Sequence, residues 1–426
     1  MSDKRYLGNI ITDTPTNPTG NAAGGVWSLA EANAYKAGNA WPTLPEAPTI
    51  GTATAGVGDA SVAFTAGDLY GGTVTTYTAI SDPSGITGTG SSSPITVSGL
   101  TNGVSYTFTV TVQTGAGTSA ESGSSNSVTP EAPSIVLFGG GIKFVNMNNI
   151  QEIAVSSTGN ATDFGDLTVA RRSAGSAGNS TVSMWAGGRV SSYVNTIDKV
   201  NPQSSGNASD YGDLVAQLNR HAGLSNSSRA IFSGGDDYNT GRVNTMDYKT
   251  ISSSGNTSDY GDLTEAAWYP QATSSPTRGV IALVYTSSNS NVINYCTIAS
   301  TGNASDFGDL SGGGGGALGA ATSSSTRGIF FAPYSSSSNR IDYLTIASLG
   351  NTVDFGDLTK SNGDETGGAG SNNTRAVYGV ASSNVASQSN IQYITIASTG
   401  NATNFGDLNE LVNNVSCCSA NHGGLQ

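Results

Sequence analysis

The sequence predicts an all-β chain in three parts: an N-terminal segment with one short helix, a β-sandwich, and a six-bladed β-propeller closed by its C-terminal strand. Three observations carry that expectation. A nine-residue phrase recurs six times, starting at Gly159, Gly206, Gly255, Gly302, Gly350 and Gly400, with starts 47, 49, 47, 48 and 50 residues apart. A fixed period of that length, with β-type segments between, is the mark of a propeller. Two identical Pro-Glu-Ala-Pro tetrads, Pro45–Pro48 and Pro130–Pro133, divide the chain into 1–45, 46–132 and 133–426. Proline fixes φ and disfavours helix before it, so each tetrad reads as a stiff linker. Charged residues make up 11% of the chain, and Gly, Ser, Thr, Asn and Ala dominate, which suits short strands and tight turns.

In segment 1–45, Ser28-Leu-Ala-Glu31 is a capping box, and Ala32–Ala37 followed by Gly38 predicts one short helix. Trp27 and Trp41 flank it as apolar anchors. So few apolar groups cannot bury a core, so the segment is expected to order against another protein or another copy. Segment 46–132 alternates in the β manner through Ser61–Thr65, Thr75–Ile80, Ser93–Val97 and Ser105–Val112, with turn residues between.

In segment 133–426 the repeats align on an arginine that opens an apolar strand: Arg229, Arg278, Arg327 and Arg375. Ser134–Gly140 and Thr181–Gly188 are the same strand without it. A tyrosine-bearing strand follows, as in Asn244–Ile251, Asn339–Ile346 and Ile391–Ile396, then the Gly-Asn turn and an outer strand with Phe or Tyr, Gly, Asp and Leu. The strand before the arginine is built from small residues, with Ser225, Ser274, Ser323 and Ser371 four positions ahead of it. Small side chains belong where six strands crowd an axis, so this strand is expected innermost. Val415–His422 matches an innermost strand with no repeat of its own. It is expected to complete the first repeat and remove the open edges that invite aggregation.

The order of small, Gly-doublet, tyrosine and aromatic strands resembles the kelch repeat. The doublet is kept in the first three repeats alone, so the likeness is to a degenerate, kelch-like propeller. Leu100-Thr-Asn-Gly-Val-Ser-Tyr106 resembles the tyrosine corner of fibronectin type III domains over 46–130, with Phe64 where that family has a core tryptophan. That resemblance implies a spacer or adhesive sandwich without chemistry.

Composition excludes several functions. A formal charge of −13 without clustered Lys and Arg argues against nucleic acid. No apolar run approaches the ~18 residues of a membrane span. The N-terminus has no apolar signal-peptide region, so export by the ordinary secretory route is not expected. Three cysteines make no disulfide framework: Cys296 reads as buried apolar, and Cys417 and Cys418 as packing residues. No cofactor or metal is expected; the repeated turn Asp residues read as caps of backbone N–H groups before Ca²⁺ ligands.

No catalytic constellation is visible, so the chain is read as a non-enzyme. Asp163-Phe-Gly165 matches a kinase triplet, but no catalytic-loop motif accompanies its sister copies. The phrase also resembles the Asp-box turn of sialidases, yet no spacing assembles the arginine cluster such an enzyme needs. A copper oxidase of the kelch fold requires two histidine ligands, and the chain's two histidines, His221 and His422, both fall at inner-strand positions. Gly312–Gly316 lacks the Lys and Ser/Thr of a phosphate loop.

Connections in a four-stranded antiparallel sheet alternate between its two ends. The Gly-Asn turn, nearly identical in all repeats, lies at one end. The opposite end holds the variable connections, rich in Tyr, Ser, Asn and Gly as adaptable recognition loops are. Tyr238, Trp268, Tyr269, Tyr285 and Tyr334 are the candidates there for stacking on a receptor glycan.

Taken whole, the chain resembles virion structural proteins of tailed phages, especially marine cyanophage-type tail fibres and appendages. The carriers are Tyr6-Leu-Gly-Asn-Ile-Ile-Thr12, Gly25-Val-Trp-Ser-Leu-Ala-Glu-Ala32 with Trp41-Pro42, the fibronectin-like motifs and the repeats. The resemblance implies attachment to other virion proteins through Tyr6, Leu7, Trp27 and Trp41, and a homo-oligomeric appendage whose propeller adheres to the host surface. Two further readings are a capsid or tail decoration protein and a polysaccharide-cleaving enzyme; for the latter no carboxylate pair is found.

Overall fold

The computed structural model describes Thr19, Asn21 and residues 28–38, 42–130, 134–312, 319–332, 338–359, 367–381, 389–410 and 413–419. They are all-β apart from one helix, and the chain divides into two compact units, Met1–Ala132 and Pro133–Gln426.

In the first unit the helix runs Leu29–Ala37. Ser28 caps it: its Oγ accepts the Glu31 N–H at 3.2 Å, and the Glu31 carboxylate accepts the Ser28 N–H at 2.9 Å, reciprocally satisfying two donors. No residue of the helix is buried. The sandwich has two antiparallel sheets. One is ordered Thr49–Ala55, Asp59–Thr65, Ile95–Ser98; the other Thr87–Gly90, Val74–Asp82, Thr107–Thr114, Gly117–Thr118. Strand alternation turns Val62, Phe64, Tyr77, Phe108, Val110 and Val112 into one core. Phe64 packs on Tyr77 with ring centroids 4.6 Å apart, and the Tyr106 hydroxyl accepts the Thr101 N–H at 3.1 Å.

Among its described residues the second unit holds, besides a small three-stranded sheet of Leu218–Asn219, Asp236–Asp237 and Gly241–Arg242, six separate four-stranded antiparallel sheets. Their small-residue strands are Ser416–Ser419, Gly175–Gly178, Ala222–Ser225, Gln271–Ser274, Ala320–Ser323 and Gly368–Ser371, taken from the first sheet to the sixth. Each lies beside the next, and Gly368–Ser371 lies beside Ser416–Ser419. The first sheet is assembled from both ends of the unit, because Ser416–Ser419 pairs with Ile135–Gly139. Hydrophobic clusters lie between neighbouring sheets and not within any one. Trp185 of the second sheet packs with Leu137 of the first, and Phe405 of the sixth packs with Val136 and Ile153 of the first. A sheet face is hydrophobic and must be buried against another element, and here each sheet supplies its neighbour's cover.

The recurring phrase is explained by contacts between repeats. In each copy the Asn side-chain oxygen accepts the backbone N–H of the Asp in the preceding copy: Asn207 from Asp166 at 3.1 Å, Asn256 from Asp213 at 3.1 Å, Asn303 from Asp262 at 3.0 Å. Asn351 and Asn401 continue the series, and Asn160 of the first copy accepts from Asp407 of the last at 3.0 Å. The neighbouring Gly N–H donates to the preceding aromatic residue's carbonyl, as Gly206 does to Phe164 at 2.8 Å. Gly212 has φ +125, and a Cβ there would strike the carbonyl of Gly255. Both the left-handed backbone and the close approach require glycine. The asparagine therefore joins one repeat to the next.

The aligned arginines also join repeats. Arg229, Arg278, Arg327 and Arg375 each lie over the tyrosine of their own sheet, at 4.5–4.9 Å from the ring centroid. Their guanidinium groups reach carbonyls of the following repeat, such as Ile298 at 2.9 Å from Arg229, and Arg375 reaches Ser156 of the first repeat at 3.0 Å. Along the small-residue strands, Ser225, Ser274, Ser323 and Ser371 donate their hydroxyls to Gly178, Ser225, Ser274 and Ser323 carbonyls at 2.6–2.7 Å.

Candidate functional site

Because strands alternate in direction, the Gly-Asn turns lie at one end of the sheets and the joints between repeats lie at the other. At four joints among the described residues, two residues face one another across a short antiparallel bridge: Asn413 and Ile142, Arg172 and Arg189, Asn219 and Asp236, Trp268 and Tyr285. These are the same two positions in successive repeats. They carry an amide with an aliphatic, two cations, an amide with a carboxylate, and two aromatics. The frame repeats while the side chains it carries differ at each of these four joints.

Trp268 and Tyr285 stack on one another, with centroids 5.7 Å apart and planes 9° apart. The indole N–H donates to Asp236 Oδ1 at 3.2 Å, and the Tyr193 hydroxyl donates to the other Asp236 oxygen. Burial, then that hydrogen bond, raises the Tyr193 phenol above its usual range. Tyr238 meets Tyr193 edge-on at 5.8 Å and is 58% exposed. Tyr269 lies under the Arg220 guanidinium, 4.8 Å from its centroid. Of the five aromatic candidates, then, Trp268 and Tyr285 form one pair, Tyr238 joins them through Tyr193 and Asp236, and Tyr269 belongs to an arginine. Tyr334, and Tyr6, Leu7, Trp27 and Trp41 of the attachment segment, lie outside the described residues.

Three arginines distant in the sequence also come together at this end. Arg172 and Arg189 bridge directly, and Arg220 donates its backbone N–H to Ser173 next to Arg172, at 3.0 Å. The charges of Arg189 and Arg220 both act on Arg172; with burial as the larger cause, they hold its guanidinium below the usual range. The three are 17 and 31 residues apart in sequence. The signal that could have exposed them is departure from the repeat: Arg189 aligns with Asp236 and Tyr285, and Arg220 with Tyr269.

Residues of the small-residue strands line a cavity of about 140 Å³, whose wall includes Gly175, Gly223, Ser274 and Ser323. Ser173, Arg220, Tyr269 and Asn414 also line it, all with φ between 51° and 60°. Consecutive members are tied by backbone bonds, Tyr269 N–H to Arg220 and Arg220 N–H to Ser173, both 3.0 Å. Non-glycine residues in this region are strained, and such strain gathers at functional sites.

His221 sits in the cavity wall, 5% exposed, where its Nε2 accepts the Gly175 N–H at 3.2 Å. Burial, with the Arg171 charge as a lesser cause, lowers its pKa to about 3. The ring is neutral in the fold and protonates below pH 6.5 once unfolded. Its contribution to stability is therefore complete above about pH 6.5 and is lost as pH falls toward 3. NMR of the folded chain should show no His221 titration between pH 8 and about 4, and His221→Gln should flatten the acid limb of the stability profile. An imidazole titrating near 6.5 would contradict this placement. His422 lies outside the described residues.

Among the described residues no group of three or more His, Cys, Asp or Glu side chains could hold a metal, and Cys296, Cys417 and Cys418 are buried thiols outside any disulfide. Among the described residues no helix is long and apolar enough to cross a membrane. No family model matches the chain, and no curated protein matches it.

Proposed function

We propose that the six sheets are the blades of a kelch-like β-propeller, and that this propeller is the displayed part of a non-enzymatic virion protein. In this reading a tail fibre or appendage attaches through its N-terminal segment, uses the fibronectin-like sandwich as spacer, and adheres to a host-surface glycan through the joint end of the propeller. The blade reading is supported by the cyclic neighbour order of the small-residue strands and by the C-terminal strand's place in the first sheet. The observation that carries the recognition reading is the contrast between the two ends. One is cross-linked by repeat-identical Gly-Asn contacts; the other changes chemistry across the four described joints while keeping its backbone bridges. Conserved framework beneath varied loops is how recognition surfaces are built on rigid scaffolds.

The test is to label intact particles with a Fab against residues 133–426, image them by cryo-electron microscopy, and measure adsorption to host cells with and without the Fab. Labels on tail fibres together with blocked adsorption support the proposal. Labels spread over the capsid with normal adsorption would replace it with a decoration role.

A further inference from the structure

Resting on that recognition reading, we propose that Arg172, Arg189 and Arg220 form a binding site for the carboxylate or sulfate groups of an acidic polysaccharide, at the mouth of the cavity lined by the small-residue strands. Like charges directly opposite one another on paired strands are destabilising, and Arg172 and Arg189 are such a pair. The chain has 30 acidic and 17 basic residues, so partners for two arginines are plentiful. The ion pairs among the described residues nevertheless join Lys143 to Glu410, Arg171 to Asp198, and Arg340 to Asp342 and Asp354. None involves these three arginines. A cation cluster that makes no ion pair among the described residues, in an acidic protein, is a site whose counter-ion comes from outside.

Its members are also held in place. Asn146 accepts from the Arg172 guanidinium at 3.4 Å and donates to the Arg189 and Val190 carbonyls at 3.1 and 2.9 Å. Arg220 is fixed by its left-handed backbone, φ 60°, and by the Tyr269 ring. Guanidinium forks match carboxylate and sulfate oxygens in pairs, and orientation before binding lowers the entropy lost.

A sugar suits the site better than an acidic peptide because of what lies beside the cations. A groove next to Arg189 is lined by Tyr193, Asp236, Asp237 and Tyr238. The two carboxylates are buried and already accept protons from within the chain, so what the groove offers outward is the exposed Tyr238 ring face, alongside groups that take an anion. A uronic acid presents both complements, an apolar ring face and an anion, on one ring.

Calorimetry of the full chain with short oligogalacturonates, neutral malto-oligosaccharides of equal length, and polyglutamate tests the proposal. Oligogalacturonate should bind, weaken as salt rises, and bind about tenfold or more weakly to Arg172→Gln and to Arg220→Gln, with Arg172→Lys intermediate. Arg172→Gln should also melt no lower than the parent, because it removes a like-charge pair; that separates lost binding from lost folding. Equal binding of acidic and neutral sugars, unaffected by these variants, would overturn the anion site and leave glycan recognition standing. Host-cell binding by the full chain with no oligogalacturonate binding would have the same meaning. Oligogalacturonate binding without host-cell binding would keep the anion site and remove the host-adhesion reading. Polyglutamate bound in preference to the sugar would overturn the polysaccharide assignment.

Discussion

Ending the chain at Glu410 is expected to abolish cooperative folding of residues 133–426. The deletion removes Ser416–Ser419, the strand paired with Ile135–Gly139, and leaves the buried Val136, Leu137 and Phe138 on an open edge. Val415 and Cys418, 4% and 0% exposed, leave the core, and the Trp185 indole N–H loses the Ser416 carbonyl it meets at 3.2 Å. Burying a valine contributes about 1.5–3 kcal/mol, and leaving a buried donor unpaired costs about 1–3 kcal/mol. Together with the lost ladder, the penalty is on the order of 5 kcal/mol or more, comparable with the total stability of many domains. Calorimetry should show the main transition lost or strongly lowered, and size-exclusion chromatography should show aggregates formed through the exposed edge. A truncated chain that melts like the parent and elutes unaggregated would refute the role given to the last strand.

Asp198→Ala should cost about 3–5 kcal/mol, the range for breaking a buried ion pair from one side. Arg171 and Asp198 are 1% and 0% exposed and meet at 2.6 Å. Arg171 also donates to the Thr196 carbonyl at 2.9 Å, and Asp198 accepts the Thr168 N–H and hydroxyl at 2.8 and 2.6 Å. Burial already lowers the Arg171 guanidinium, against the opposing pull of Asp198; without the aspartate that burial is uncompensated. The repeat suggests its own repair. Asn294 holds the corresponding place two repeats on, accepting the Thr264 N–H and hydroxyl at 2.9 Å each, and Leu218 and Ala267 stand where Arg171 does. The double variant Arg171→Leu with Asp198→Asn should therefore lose less than half of what Asp198→Ala loses. Urea midpoints at pH 7 measure both. Equal losses would mean that the pair contributes packing and not charge compensation.

How much of this was legible in the sequence depends on the range of the interactions. The capping box at Ser28 and Glu31 was readable because its contacts span three residues. The β character of the chain, the small-residue strands and the buried state of Cys296 followed from local pattern and alignment of repeats. The six-bladed closure remains the proposal made above, now supported by strand order. The bond made by the repeated Asn was not legible, because the partner N–H lies 41 residues earlier, as between Asn207 and Asp166. A repeat shows that a residue is needed, and not to which neighbour it bonds.

By itself, the sequence determined the strand-rich class, the six-fold recurrence, the glycines that left-handed backbone demands and the short capped helix. Each depends on residue type and local spacing. The tertiary structure alone decided that Trp268 lies on Tyr285, that Asp236 joins Tyr193 to Trp268, and that Arg172, Arg189 and Arg220 converge. Those residues stand at the joints, where the repeat's own pattern lapses, and bridges between distant segments set their neighbours.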